Sequence, residues 1–171
     1  MSKQQIKDLI HAVPDFPKLG VSFKDISPLL KNGLSLAIDE YEKLFTPAEW
    51  EKVDYLAGIE SRGFVFAAAL AERLGKGLVL IRKQGKLPGD VQTLSYSLEY
   101  GEAVIEMQRG AGSLVIIDDV LATGGTLQAS ADLAVKSGYS VFGIAVLLNL
   151  AHLNNFAWQG LKARVILEVN E

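Results

Sequence analysis

The chain has 171 residues, 49% hydrophobic and 22% charged, and its 17 basic against 20 acidic side chains leave a formal charge of -3 at pH 7. That balance describes a soluble globular chain able to bury a core unaided, and it excludes a broad basic field for gripping nucleic acid. The absence of cysteine excludes disulfides and thiolate metal sites and suits a reducing, cytoplasmic setting.

Apolar runs such as FVFAAALA and VFGIAVLL are far shorter than the ~20 residues that span a bilayer, and the opening MSKQQIKDLI lacks the apolar core of a secretion signal. No membrane association is therefore expected. His11 and His152 stand far apart without ligand-spaced neighbours, and read as surface or capping residues rather than metal ligands. No repeat or Pro/Ser-rich linker divides the chain, so a single domain over 1–171 is expected.

In chain order, Ile6, Leu9, Ile10 and Val13 share one face of a helix over 2–13, with Ser2 and Gln5 in capping-box positions. The segment PDFPKLGVSFKDISPLL, rich in proline, reads as an irregular connection. Leu34, Ile38, Tyr41 and Phe45 mark a second helix, and Thr46, Pro47 and Glu49 the start of a third. From residue 53 the pattern changes to short apolar runs alternating with helices. VDYLAGI, LVLIR, LVIID and VFGIAVLL are strand candidates, and 63–74 and 125–137 are helices closed by Gly75 and Gly138. Runs this apolar imply strands covered on both faces, hence a parallel α/β sheet with its ligands at the strands' carboxyl ends. Residues 91–107 alternate instead, giving an antiparallel excursion around Gly101 rather than a core strand.

LVIIDDVLATGGTLQAS carries the most chemistry. A strand ending in a flexible loop that opens a helix presents unsatisfied N–H groups and the positive end of the helix dipole, which suits a phosphate. Ala122, Thr123, Gly124, Gly125 and Thr126 form that loop; the glycines let the main chain approach an anion, and the threonines add hydroxyls. No lysine precedes the last threonine, which disfavours an ATP-type loop. Asp118 and Asp119 would repel a polyphosphate but accept from vicinal hydroxyls, so phosphate and diol together point to a ribose 5-phosphate. The plainer alternative is a strand-end aspartate pair capping a helix beside an ordinary turn.

VIIDDVLATGGT resembles the phosphoribosyl pyrophosphate signature of type I phosphoribosyltransferases, and SRGF, IRKQGKLPG and SYSLEYG resemble the adenine-specific branch of that family. The likeness runs from residue 16 to about 148. It implies the family's fold: a parallel twisted sheet flanked by helices, a small N-terminal hood over about 1–35, a core over about 36–171, and an antiparallel flexible lid. It implies transfer of the phosphoribosyl group from phosphoribosyl pyrophosphate to adenine, giving AMP and pyrophosphate with Mg²⁺ held through substrate oxygens and water, in a cytoplasmic homodimer engaged in purine salvage.

The resemblance also distributes roles. Arg62, Arg82, Lys83 and Lys86 surround the pyrophosphate, and the IRK arginine reaches a neighbouring subunit's site. Glu99 takes or shares the proton leaving the base, while Tyr100 closes over the ribose. Val21, Phe23 and Lys24 cover the base, with Phe23 stacking on it. A peptide in ESRG in the strained cis form would be family-like. From the residues alone, RKQGK also reads as a solvated basic turn, SYSLEYG as an edge hairpin, Arg62 as pairing with a surface acid, and Phe23 as core filler.

Two departures stand out: the connection from EMQRG to LVIID is shorter than usual, and Asn149 stands where an acid is common. Two other functions compete. A 6-oxopurine transferase usually places a lysine near the base oxygen, and none occurs between Lys136 and Lys162; relatives specific for xanthine also tend to carry Ala-Asn-Gly where this chain has ATGG. A non-catalytic sensor of phosphoribosyl pyrophosphate typically appends a DNA-binding domain or discards the lid.

Overall fold

The computed structural model describes residues 2–98 and 101–170. The chain opens with α1 (Ser2–Asp8), then a small hairpin of β1 (His11–Val13) and β2 (Phe23–Asp25), paired antiparallel from His11↔Asp25 to Val13↔Phe23. The first helix is thus shorter than expected. Its apolar face continues past Asp8 in sequence, but His11–Val13 satisfy their backbone groups on β2 instead. The stretch expected to be irregular supplies both β2 and α2 (Ser27–Asn32), the latter with proline in its first turn.

α3 (Leu34–Lys43) and α4 (Pro47–Glu51) follow as expected. Thr46 Oγ1 accepts from Glu49 N at 3.1 Å and Thr46 N donates to Glu49 Oε1 at 3.0 Å, a reciprocal cap that fixes the helix start. The remaining elements are β3 (Tyr55–Ile59), α5 (Arg62–Leu74), β4 (Gly77–Lys83), β5 (Val91–Leu98), β6 (Gly101–Gln108), β7 (Gly112–Leu121), α6 (Gly125–Lys136), β8 (Tyr139–Leu150), a short 3-10 turn at Ala151–Leu153, and β9 (Arg164–Val169). Gly75 closes α5 in the left-handed conformation at φ 66°; α6 ends at Lys136 with Ser137 as its cap residue and Gly138 following.

One sheet runs β5-β6-β4-β3-β7-β8-β9; the β4-β3-β7-β8-β9 pairings are parallel, and β5–β6 and β6–β4 are antiparallel. Period-2 alternation sorts its side chains between two cores. Leu56, Val115, Ile117, Ala145 and Leu147 face Tyr41, Phe66 and Trp50 on one side, while Ala57, Leu114, Ile116, Ile144 and Val146 face Leu127 and Leu133 of α6 on the other. Both faces are covered, which is why these strands read as continuous apolar runs.

Two strand expectations change. β6 is more than an excursion: it joins β4 at Arg82↔Glu106 and Lys83↔Ile105 and buries Ile105, Glu106 and Met107. β9, carrying RVILEV, extends the sheet beside β8 although its pattern attracted no strand assignment. Among the described residues no helix is long and apolar enough to cross a membrane.

Candidate active site

The loop that begins the chemistry sits at the carboxyl edge of the parallel sheet, between β7 and α6. Gly124 is the cap residue of α6 at φ 95° and contributes no side-chain bond, so the first-turn amides face outward with the helix dipole behind them. A Cβ on Gly124 would stand 2.8 Å from Phe156 Cδ2, whereas one on Gly125 would meet open space. Asp118, Ala122, Thr123, Gly124, Gly125 and Thr126 together line a cavity of about 90 Å³.

The two aspartates diverge, as consecutive strand residues must. Asp118 lines the loop cavity, and its Oδ1 accepts from Asp119 N at 2.9 Å. Burial and then the neighbouring Asp119 charge push its carboxyl well above the usual range. Asp119 turns inward: Oδ1 accepts from Val120 N at 2.9 Å, and Oδ2 lies 2.6 Å from Arg62 Nε. That contact is a charge pair rather than an aligned hydrogen bond, since Oδ2 has no hydrogen-bond partner of acceptable geometry. Tyr41, fully buried on α3, donates from its hydroxyl to the Asp118 carbonyl at 2.7 Å. Burial, with the charges of Asp119 and Asp118, holds that hydroxyl neutral far above its usual range.

Arg62 begins α5 directly after a cis Glu60–Ser61 peptide. Its Nη1 donates to the Lys24 carbonyl at 3.0 Å, and its guanidinium lies 4.8 Å from the Phe23 ring centre. One side chain therefore ties the N-terminal hairpin to the acid pair. Phe23 also meets Phe16 edge-on at 5.1 Å, and Val21 closes the hairpin's turn by accepting from Phe16 N and donating to the Lys18 carbonyl. Gly63 lets α5 approach the end of β7, because a Cβ there would stand 2.8 Å from the Ile117 carbonyl oxygen.

The basic motif is organised by two carboxylates. Arg82 Nη2 donates to Glu60 Oε1 at 3.0 Å, and Lys83 N donates to Glu60 Oε2 at 2.7 Å. Glu106, only 2% exposed, accepts from Gly85 N at 2.7 Å, Lys86 N at 3.1 Å and Leu87 N. Those amides hold its carboxyl below the ordinary value despite burial. Above them, Tyr96 of β5 brings its hydroxyl within 3.2 Å of Thr126 Oγ1, so the hairpin's stem touches the glycine loop. Glu99 and Tyr100, which follow Leu98 in sequence, lie outside the described residues.

The structure thus gathers Asp118 with residues 122–126, joins Asp119, Arg62, Phe23 and Lys24 in an adjoining cluster, and holds Arg82 and Lys83 at the end of β4 through Glu60 and Lys86 on the following turn through Glu106. Glu106 and Tyr41 were not anticipated as part of it. An acid between Ile105 and Met107 was the one available signal for the first; nothing local marks the second. A larger cavity, about 590 Å³, lies elsewhere, around Phe45, Trp50 and Leu74, and lacks any of these groups.

A profile of the phosphoribosyl transferase domain family matches residues 22–155. The chain belongs to that family. Among relatives, this phosphoribosyltransferase is 47% identical to the adenine phosphoribosyltransferase of Hydrogenovibrio crunogenus, over all of both chains. It is 50% identical to the one from Bdellovibrio bacteriovorus over 95% of this chain and 98% of that one. Its fold matches the crystal structure of adenine phosphoribosyltransferase from Saccharomyces cerevisiae, complexed with an imino-altritol bisphosphate and adenine, at TM-score 0.86 and 34% identity, covering 97% and 98% of the two chains.

Proposed function

We propose that this phosphoribosyltransferase transfers the 5-phosphoribosyl group of phosphoribosyl pyrophosphate to adenine, releasing AMP and pyrophosphate in purine salvage. The observation that carries the reading is the uncapped start of α6 beside Asp118, an anion cradle next to a hydroxyl acceptor in one cavity.

In this reading residues 122–126 grip the 5-phosphate and Asp118 accepts from the ribose hydroxyls. Asp119 acts mainly by holding Arg62. Arg62, Arg82, Lys83 and Lys86 offset the charge that grows on the departing pyrophosphate as the C1′–O bond breaks. N9 of adenine then bonds to C1′, and the N9 proton passes to Glu99 while Tyr100 keeps water from the activated sugar. Phe23 and Val21, with Lys24, cover the base. Asp118 is a hard oxygen donor, which fits Mg²⁺ approached through water, and Mg²⁺ on the substrate's oxygens would supply further charge neutralisation. We further infer a single functional domain of hood and core, working as a cytoplasmic homodimer.

The test is turnover with adenine, hypoxanthine, guanine and xanthine, each with phosphoribosyl pyrophosphate and Mg²⁺. AMP and pyrophosphate should form with adenine alone; faster turnover of a 6-oxopurine, or none of any base, defeats the reading. Glu99→Ala should slow turnover by about 10² to 10⁴, the typical worth of a positioned proton-transfer group.

A further inference from the structure

Behind the glycine loop three side chains form a continuous line of hydrogen bonds. Asn149 Nδ2 donates to Glu168 Oε2 at 2.9 Å, Asn154 Nδ2 donates to Asn149 Oδ1 at 3.0 Å, and the same Nδ2 reaches the Ala122 carbonyl at 2.7 Å. Asn154 Nδ2 also lies 3.1 Å from the Leu150 carbonyl, and Asn154 Oδ1 accepts from Phe156 N at 3.0 Å. Phe156 is the ring against which Gly124 packs. The loop therefore leans at Ala122 on Asn154 and at Gly124 on Phe156, whose amide Asn154 holds.

Donor and acceptor inventories show why the middle residue is an asparagine. A carboxylate such as Glu168 only accepts and the Asn154 NH₂ only donates, so the group between them must do both. Asn149 does so. An aspartate there would set a second carboxylate against Glu168, and an alkyl side chain would serve neither partner.

We propose that Asn149 and Asn154 are positioning residues that, through the Ala122 carbonyl, hold residues 122–126 in the shape that grips the sugar's 5-phosphate. Neither needs to touch substrate. The proposal rests on the phosphate role given to that loop above.

The experiment measures the Kd of ribose 5-phosphate by calorimetry, and the KM values for phosphoribosyl pyrophosphate and adenine separately, in the parent, Asn154→Ala, Asn149→Asp and the double variant Asn149→Asp with Glu168→Gln. Asn154→Ala should weaken ribose 5-phosphate about tenfold, as expected when a hydrogen bond that shapes a site is lost. Asn149→Asp should weaken it about threefold, a smaller effect because Glu168 is exposed and its repulsion screened. Adding Glu168→Gln should restore the affinity, since the introduced amide can donate to the introduced carboxylate. KM for adenine should stay within about twofold throughout, since the loop grips only the phosphate.

Parent-like ribose 5-phosphate affinity in Asn154→Ala, absence of rescue in the double variant, or equal movement of both KM values overturns the proposal. A parent that fails to bind ribose 5-phosphate overturns the phosphate role itself, and the proposal with it. A parent that binds while Asn154→Ala binds equally well overturns only the positioning role.

Discussion

Arg62 Nε lies 2.6 Å from Asp119 Oδ2, and the same guanidinium donates to the Lys24 carbonyl at 3.0 Å. The acid at the end of β7 and the hairpin that carries Phe23 are thereby joined through one side chain at the start of α5. Asp119→Asn should lower stability by about 1–2 kcal/mol, less than the ~3–5 of a wholly buried pair, because Arg62 retains contact with water. Urea unfolding reads the loss directly. An unchanged midpoint would mean that the pair contributes nothing to holding the hairpin down.

The two glycines of the loop should behave differently. Gly124→Ala forces a side chain into φ 95° and against Phe156, so it should cost about 1–3 kcal/mol of stability and weaken phosphate binding as well. Gly125→Ala meets open space and has no positive φ, so its melting temperature should stay near that of the parent while ribose 5-phosphate affinity falls. Thermal melts beside calorimetric titrations separate the two effects. Equal damage to both properties in both variants would contradict this division.

Glu106 accepts three successive amides from the turn that carries Lys86, and no neutral amide can replace it in full. Glu106→Gln should raise KM for phosphoribosyl pyrophosphate about tenfold, with a smaller change for adenine, because Lys86 loses its fixed position. Steady-state kinetics with each substrate varied in turn checks this. Parallel changes in both constants would assign Glu106 to general stability instead.

Glu49 provides the pH test. Arg164 forks onto its carboxylate, from Nη1 to Oε1 at 3.0 Å and from Nη2 to Oε2 at 2.6 Å, and with the Thr46 amide holds its pKa at about 2. A depressed carboxyl adds stability above its unfolded value of 4.5 and loses it as pH falls towards 2. The melting temperature should therefore drop through that window, and Glu49→Gln should flatten the drop while Glu60 and Glu106, also depressed, keep part of it. An identical slope in the variant would remove Glu49 from the acid response.

Much of this was legible in one dimension. The reciprocal Thr46–Glu49 cap, the left-handed Gly75 and the covered strands through Leu56, Ile116 and Val146 each follow from the residue types in a window of a few positions. The glycine loop was legible for the same reason, since a strand, a positive-φ glycine and a helix start are adjacent in the chain. β1 and β9 were not. His11–Val13 continues the periodicity of α1 and becomes a strand only because Phe23–Asp25 offers it a ladder, and RVILEV is too short to separate strand from helix without β8 beside it.

Residue order alone therefore determined the parallel α/β class, the glycine loop between β7 and α6 and the family to which the chain belongs, because each is written in contiguous dihedral preferences, burial patterns and motifs. The tertiary structure decided which acid faces the loop and which faces Arg62, why Glu106 and Tyr41 matter, and how Asn149 serves the loop through Asn154. Those are contacts between side chains brought together by packing, such as Tyr41 with Asp118 and Asn154 with Ala122. Charge pairing and hydrogen bonding act over a few ångströms of space, and separation along the chain carries no record of which groups will share that space.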